Sequence, residues 1–276
     1  MSDFYPIIDA HCHVFPDGIA EKSKDAVSAF YDLPMYTSGK AAHLRKERDK
    51  AIFIDGMEYG ITRQLICAPA VTPKQTASVN AFISQLVRED PALIGYGTLH
   101  PGNENFAEIL GRFRENGLSG LKLHSDFQQF NIDEPGMFPV YEEAQRLGLP
   151  VLFHMGDRKL DFSHPRRLQS VLEHFPALTV TAAHMGGYSH WSEALDVLQP
   201  SERLYFDLSS TVQFIDGDLL KQFLDKFGEE QFFFGSDFPM WDPAEELKRL
   251  LSFGLSESTL QNILHDNFIR YIEKRS

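Results

Sequence analysis

The chain has 276 residues, 43% hydrophobic and 24% charged, the composition of a globular protein able to bury a sizeable core. A formal net charge of −13 with no offsetting basic stripe excludes a phosphate-backbone binder, so no nucleic-acid partner is expected. Two cysteines, Cys12 and Cys67, exclude a disulfide framework, and the absence of a signal pattern or a ~20-residue apolar run points to a cytoplasmic protein without a membrane span.

The first short apolar run, Pro6–Ala10, leads into "IIDAHCHVF", where His11 and His13 stand one residue apart at a predicted strand end. Residues 14–48 follow, with Pro16, Pro34 and Gly39 among aromatic and charged residues. This interval is too long for one helix and two joints, and reads as a lid or binding loop, with a structural elaboration or dimer contact as the alternative. From there strands and helices alternate. Arg63–Ala68 precedes a helix over Ala77–Arg88 whose apolar face is Val79, Phe82, Ile83, Leu86 and Val87. Leu93–Thr98 precedes Phe106–Glu115, Gly120–His124 precedes Pro139–Leu147, and Pro150–His154 precedes Arg166–His174. Leu178–His184 precedes Trp191–Leu198, Leu204–Leu208 precedes Leu219–Phe227, and Gln231–Ser236 precedes Pro243–Leu251.

The strand runs lack period-2 alternation, as expected for parallel strands buried on both faces. After the second, their centres lie about 25 to 30 residues apart, one strand–helix unit each. Eight such units without a composition break predict a single-domain (β/α)₈ TIM barrel over residues 1–276, with a long insertion after the first strand. An open doubly wound sheet would show a Gly-rich first turn, and none is present.

In a barrel the strand C-termini converge on one face. There the sequence places His11 and His13, His124, His154, His184 and, in "FFFGSDFP", Asp237. Residues i and i+2 of a strand point the same way, so His11 and His13 can face one ion. With His154 and Asp237 they make three nitrogens and one carboxylate oxygen, suited to Zn²⁺ and acceptable to Mn²⁺, Fe²⁺ or Co²⁺. A satisfied core histidine is the plain alternative for each one singly, but all of them would have to be so at the same end of the barrel. His100, His124 and Asp126 are further candidates for the pocket wall. His43 and Arg45 could meet a substrate carboxylate, or belong to a solvated charge run. Arg158, His164, Tyr188 and Trp191 could contact substrate, or be loop surface and packing. Asp9 either accepts from a ligand imidazole or caps local backbone, and Cys12 reads as a buried thiol whose oxidation would disturb the site.

The order of "DAHCHVF", "GLKLH", "LPVLFHMG", "TAAHMGG" and "FGSDFP" resembles the amidohydrolase superfamily. More narrowly, it is similar to the branch holding small metal-dependent hydrolases, lactonases and the non-oxidative decarboxylases of aminocarboxymuconate semialdehyde and resorcylate. The likeness runs through the closing "ILHDNFIRYI". It implies His11, His13 and His154 as ligands of one divalent metal ion, Zn²⁺ first with Mn²⁺ or Fe²⁺ as alternatives, and Asp237 as the carboxylate ligand. It makes His184 the residue that touches the reacting oxygen or water, and Lys122 a charge partner or carboxylate anchor. A homodimer is an expectation from the family alone.

Metal-activated water, with Asp237 carrying its proton and His184 polarising a carbonyl, makes hydrolysis of an ester, lactone or amide in a small organic acid the leading expectation. Non-oxidative decarboxylation of an unsaturated or aromatic acid, a metal-independent lactonase, and a non-catalytic scaffold are the alternatives. The expected partner is a small carboxylate, and a positively charged patch in residues 14–48 would point to acid substrates.

Overall fold

The computed structural model describes residues 4–274. Nine strands occur in chain order: β1 Phe4–His13, β2 Ile52–Ile54, β3 Met57–Cys67, β4 Leu93–Thr98, β5 Leu118–Leu123, β6 Val151–Phe153, β7 Val180–Ala182, β8 Leu204–Asp207 and β9 Phe232–Phe233. All but β2 are parallel and follow one another around the sheet, β1 beside β3 and then each beside the next to β9. The ring is drawn together between β1 and β9 by Ala10 N–H donating to Phe234 O at 2.9 Å and by a parallel bridge between Cys12 and Phe238. The result is a nearly closed barrel of eight parallel strands with helices between them, a TIM barrel, and each of the eight expected strands is one of its staves.

The differences from the sequence reading have local causes. β3 begins at Met57, ahead of the expected Arg63, because it is held on both sides: Phe4 of β1 pairs with Glu58, and the antiparallel arm β2 sets Ile52 against Tyr59. Nothing in "AIFIDGMEYG" announced that arm. The helix expected over Phe106–Glu115 stops at Gly111. Beyond it Arg112 and Phe113 bond to the carbonyls three residues back, a tighter turn that brings Phe113 into the core.

Residues 14–48 fold into two helices, α1 Ala20–Tyr31 and α2 Ala41–Arg48. The next helix, α3 Thr76–Glu89, carries the expected apolar stripe. Only part of that stripe goes inward: Ile83 and Leu86 are buried against the strands, while Val79 and Phe82 remain partly exposed.

The larger apolar core lies between strands and helices. A second cluster joins strand residues such as Ile8, Leu65, Leu152 and Phe233 to Phe268 and Tyr271 of the last helix, Asn267–Glu273. Tyr271 hydrogen-bonds Tyr96 and Thr181 and packs against Tyr205 and Phe233. It thereby touches β4, β7, β8 and β9, which a residue near the barrel axis can do. No helix among the described residues is long and apolar enough to cross a membrane.

Candidate active site

The polar residues gather beyond the C-terminal ends of the strands. His11 is fully buried, and its Nδ1 donates to Asp207 Oδ2 at 3.0 Å. That contact fixes the tautomer and leaves the Nε2 lone pair free. Around this Nε2 stand His13 Nε2 at 3.2 Å, Lys122 Nζ at 3.0 Å and Asp237 Oδ1 at 3.8 Å, with Asp237 Oδ1 also 3.5 Å from His13 Nε2. Ser210 donates to Asp237 Oδ2 and receives Trp241 Nε1–H at 2.8 Å, which locks that carboxylate. Burial holds His11 and His13 well below the ordinary imidazole range, reinforced for His11 by Lys122 and His184 and for His13 by the His11 ring. Burial pushes the carboxyl of Asp237 up to about 7. Two neutral imidazole nitrogens and a carboxylate oxygen turned toward each other are a donor set that fits a divalent cation.

A second group adjoins the first. His154 follows β6 and His184 follows β7, and His184 Nε2 lies 2.9 Å from His154 Nδ1. At the far ends of the two rings, His184 Nδ1 faces Ser209 O at 3.0 Å and His154 Nε2 faces Gly156 O at 3.0 Å. Carbonyl oxygens only accept, so both outer nitrogens carry their protons outward and two lone pairs meet between the rings. Such a meeting is relieved by a shared proton or a cation. His124 stacks on His154 with ring centres 3.8 Å apart, and the hydroxyl of Tyr31, the last residue of α1, lies 3.2 Å from His124 Nε2 and 3.3 Å from His154 Nε2.

Backbone strain concentrates here. His184, Met185, Ser210 and Asp237 hold φ of +57°, +51°, +48° and +55°, a left-handed conformation costing non-glycine residues on the order of 1 kcal/mol each. His184, Ser210 and Asp237 all line one cavity of about 530 Å³. His13, His124, Asp126, His154 and Tyr188 border the same space.

Residues 8–270 of the chain match the family model described as Amidohydrolase. The chain belongs to the amidohydrolase family. A 2-amino-3-carboxymuconate-6-semialdehyde decarboxylase from Dictyostelium discoideum is 26% identical over 237 residues, 70% of this chain and 65% of that relative, so the match spans just under two thirds of it. The barrel is similar to 5-carboxyvanillate decarboxylase from Novosphingobium aromaticivorans, whose crystal structure holds manganese and 4-hydroxy-3-methoxy-5-nitrobenzoic acid. The TM-score is 0.71 at 16% identity, covering 98% of this chain and 96% of that one. It is equally similar to 2,6-dihydroxybenzoate decarboxylase from Rhizobium, with TM-score 0.71 at 14% identity over 99% and 100% of the two chains.

Within this amidohydrolase the expected residues fall into three groups. His11, His13 and Asp237 meet directly, and His154 reaches them through His184. Lys122 is fully buried beside His11, outside the cavity lining. His124, Asp126 and Tyr188 border the cavity, and the other candidates stand in different surroundings. Asp9 accepts from the backbone and side chain of Ser236 and from the backbone N–H of His11, so it braces backbone, and Asp207 is the acceptor of the His11 imidazole. His100 turns its Nδ1 to Gly102 N–H at 3.0 Å and does not line the cavity. Arg158 is exposed and lies over the rings of Tyr188 and Phe214, again outside the lining. Arg45 pairs with Glu89 and Asp90, His43 contacts Thr37, and His164 pairs with Glu193. Trp191 donates to His184 O, a packing role. Burial pushes the Cys12 thiol well above its usual range, which keeps it protonated and unreactive.

Asp207, Ser209 and Tyr31 went unread. Asp207 closes the apolar strand "LYFD", the same sign of a buried polar group in need of a partner that marked the histidines. Tyr31 carried no such signal, since only the folded insertion brings it over the site. The insertion turns no Lys or Arg among the described residues into the cavity: its cavity-lining residues include Phe15, Ile19, Val27, Phe30 and Leu33.

Proposed function

We propose that this amidohydrolase is a metal-dependent, non-oxidative decarboxylase of a small unsaturated or aromatic carboxylic acid. The observation that carries the reading is the contrast within one cavity, a floor of imidazoles and carboxylates beneath walls that are apolar and aromatic. A carboxylate resting on that floor is largely removed from water, and loss of CO₂, which disperses its charge, is favoured where solvation of the carboxylate is withdrawn. The decarboxylase names of the Dictyostelium relative and of the two barrel structures support this reading above hydrolysis, which the sequence alone placed first.

The reaction breaks the bond between the carboxylate and its carbon, releases CO₂ and adds one proton to that carbon, with no oxidant and no water consumed. His11, His13, His154 and Asp237 would hold the ion, and a bound divalent cation supplies Lewis-acid charge for the substrate's oxygens. The manganese in the carboxyvanillate decarboxylase structure supports Mn²⁺ beside the Zn²⁺ favoured by the nitrogen-rich donor set. Lys122 adds positive charge under His11. Asp237, whose Oδ2 accepts from Ser210, relays a proton from solvent to the carbon, and His184 orients the substrate group beside it.

The test is a panel of aromatic and unsaturated acids assayed for CO₂ release, run beside lactones and esters assayed for acid release, with the metal content of the same preparation measured. CO₂ from at least one acid, abolished by chelation and restored by Mn²⁺ or Zn²⁺, is expected. Ester or lactone cleavage with no CO₂ from any acid would return the enzyme to hydrolysis.

A further inference from the structure

The cavity is larger than its polar floor requires. From the floor it extends toward the inserted segment and α3, where Ile19, Val27, Phe30 and Leu33 share the lining with Val79 and Phe82 and with the uncharged Ser23, Gln75 and Ser78. Val79 and Phe82 of the α3 stripe are only half-buried, and both turn apolar surface into this space. At the mouth, Ile19 is 50% and Val71 44% exposed, values that leave apolar surface open at the entrance. The ionisable groups of the lining are the floor histidines, Asp126 and Asp237, together with Tyr31 and Tyr188. No Lys or Arg among the described residues lines the extension. Two polar atoms of the wall are also buried without a hydrogen-bond partner among the described residues, Tyr188 Oη and Asp126 Oδ1. Burial pushes the Asp126 carboxyl up to about 7. A buried hydroxyl that no neighbour satisfies is a position a ligand atom is suited to fill.

We propose that the substrate is a monocarboxylic acid whose body is apolar and uncharged, held in the extension between α1 and α3, with the hydroxyl of Tyr188 hydrogen-bonding an uncharged oxygen on that body. The proposal deepens the decarboxylase reading and rests on it for the position of the reacting carboxylate. It assigns specificity to Val27, Phe30, Val79 and Phe82, and to Tyr188 one polar contact. It excludes acids with a second carboxylate on the body, because that group would be buried opposite apolar side chains without a counter-ion.

The experiment uses the full chain loaded with Mn²⁺ and two benzoic acid probes, one bearing an uncharged alkoxy chain and the other the same chain ending in a carboxylate. Binding is read by calorimetry and CO₂ release is read separately. The alkoxy acid is expected to bind at least ~10-fold more tightly, a difference that one unpaired buried carboxylate readily produces. Val27→Arg places a cation in the extension and is expected to reverse the preference. Ile19→Arg, at an exposed position that folding tolerates, should shift it the same way by a smaller factor. Tyr188→Phe should weaken the alkoxy acid by ~5-fold, while leaving unchanged a probe whose chain carries no oxygen. Equal or tighter binding of the dicarboxylate by the unaltered protein, or an unchanged ratio in both arginine variants, overturns the proposal. The expected binding ratio without CO₂ release would uphold the extension and sink decarboxylation. CO₂ released preferentially from the dicarboxylate would do the reverse.

Discussion

At the scale of single residues, the site depends on partners that keep its imidazoles in one tautomer. His11 offers Nε2 because Asp207 accepts from Nδ1, and Asp207 is held in turn by Ser209 N–H at 3.1 Å and by His184 N–H at 3.2 Å. Asp207→Asn can present an amide N–H to His11 Nδ1 and drive its proton to Nε2. Metal affinity is expected to fall ~10- to 100-fold, measured by competition with a chelating dye, while the melting temperature of the metal-free protein stays close to that of the parent. An unchanged affinity would remove Asp207 from the site's support. Asp237→Asn should keep the fold and lose ~100-fold or more in kcat, since an amide cannot relay the proton. A variant that retains full rate would show that another group protonates the carbon. Much of this chemistry was legible, because a histidine ending a wholly apolar strand is conspicuous. Asp207 carries the same mark at the end of "LYFD", but an acidic residue is common enough in this chain to hide it.

At the scale of elements, the helix Pro243–Leu251 contains an unusual acid. Glu246 is fully buried, accepts from Gln213 Nε2 at 2.8 Å through Oε1, and has no partner for Oε2 among the described residues. Burial pushes it up to about 8 from an ordinary 4.5. Between those values the folded chain keeps a proton that the unfolded chain has released. Stability from this group therefore falls as pH rises, by about 1.4 kcal/mol per pH unit. Glu246→Gln removes the dependence. Urea unfolding should show the variant gaining at least ~2 kcal/mol on the parent between pH 5 and pH 8, and a constant gap would mean that Glu246 is ionised in the fold. The strands were readable because each is covered on both faces and loses the alternation of a half-exposed strand. The insertion was readable in its length and its place over the site, but not in its shape. α1 has an unremarkable sequence, and Tyr31 and Phe30 acquire meaning only from Phe127 and the histidines they meet.

At the scale of the whole molecule, the ion proposed here would bind the folded chain and not the unfolded one, because its donors come from β1, from the segment after β6 and from the segment after β9. Loading at ~100 times the dissociation constant should add about 2.7 kcal/mol to the folded state. Removing the metal with a chelator is expected to lower the melting temperature by several degrees, and returning Mn²⁺ or Zn²⁺ to restore it. No shift on chelation would show that the donors do not hold an ion.

The seam between β1 and β9 gives the assembly a direction in time. His11 and His13 are made before His154, and His154 before Asp237, and Ala10, His13 and Cys12 join the last stave only where Phe234 and Phe238 return to them. A chain still being synthesised therefore holds an incomplete binding site until β9 and the segment after it have emerged. The reactive centre cannot be completed until the final stave docks, so the catalyst is finished only when its barrel is.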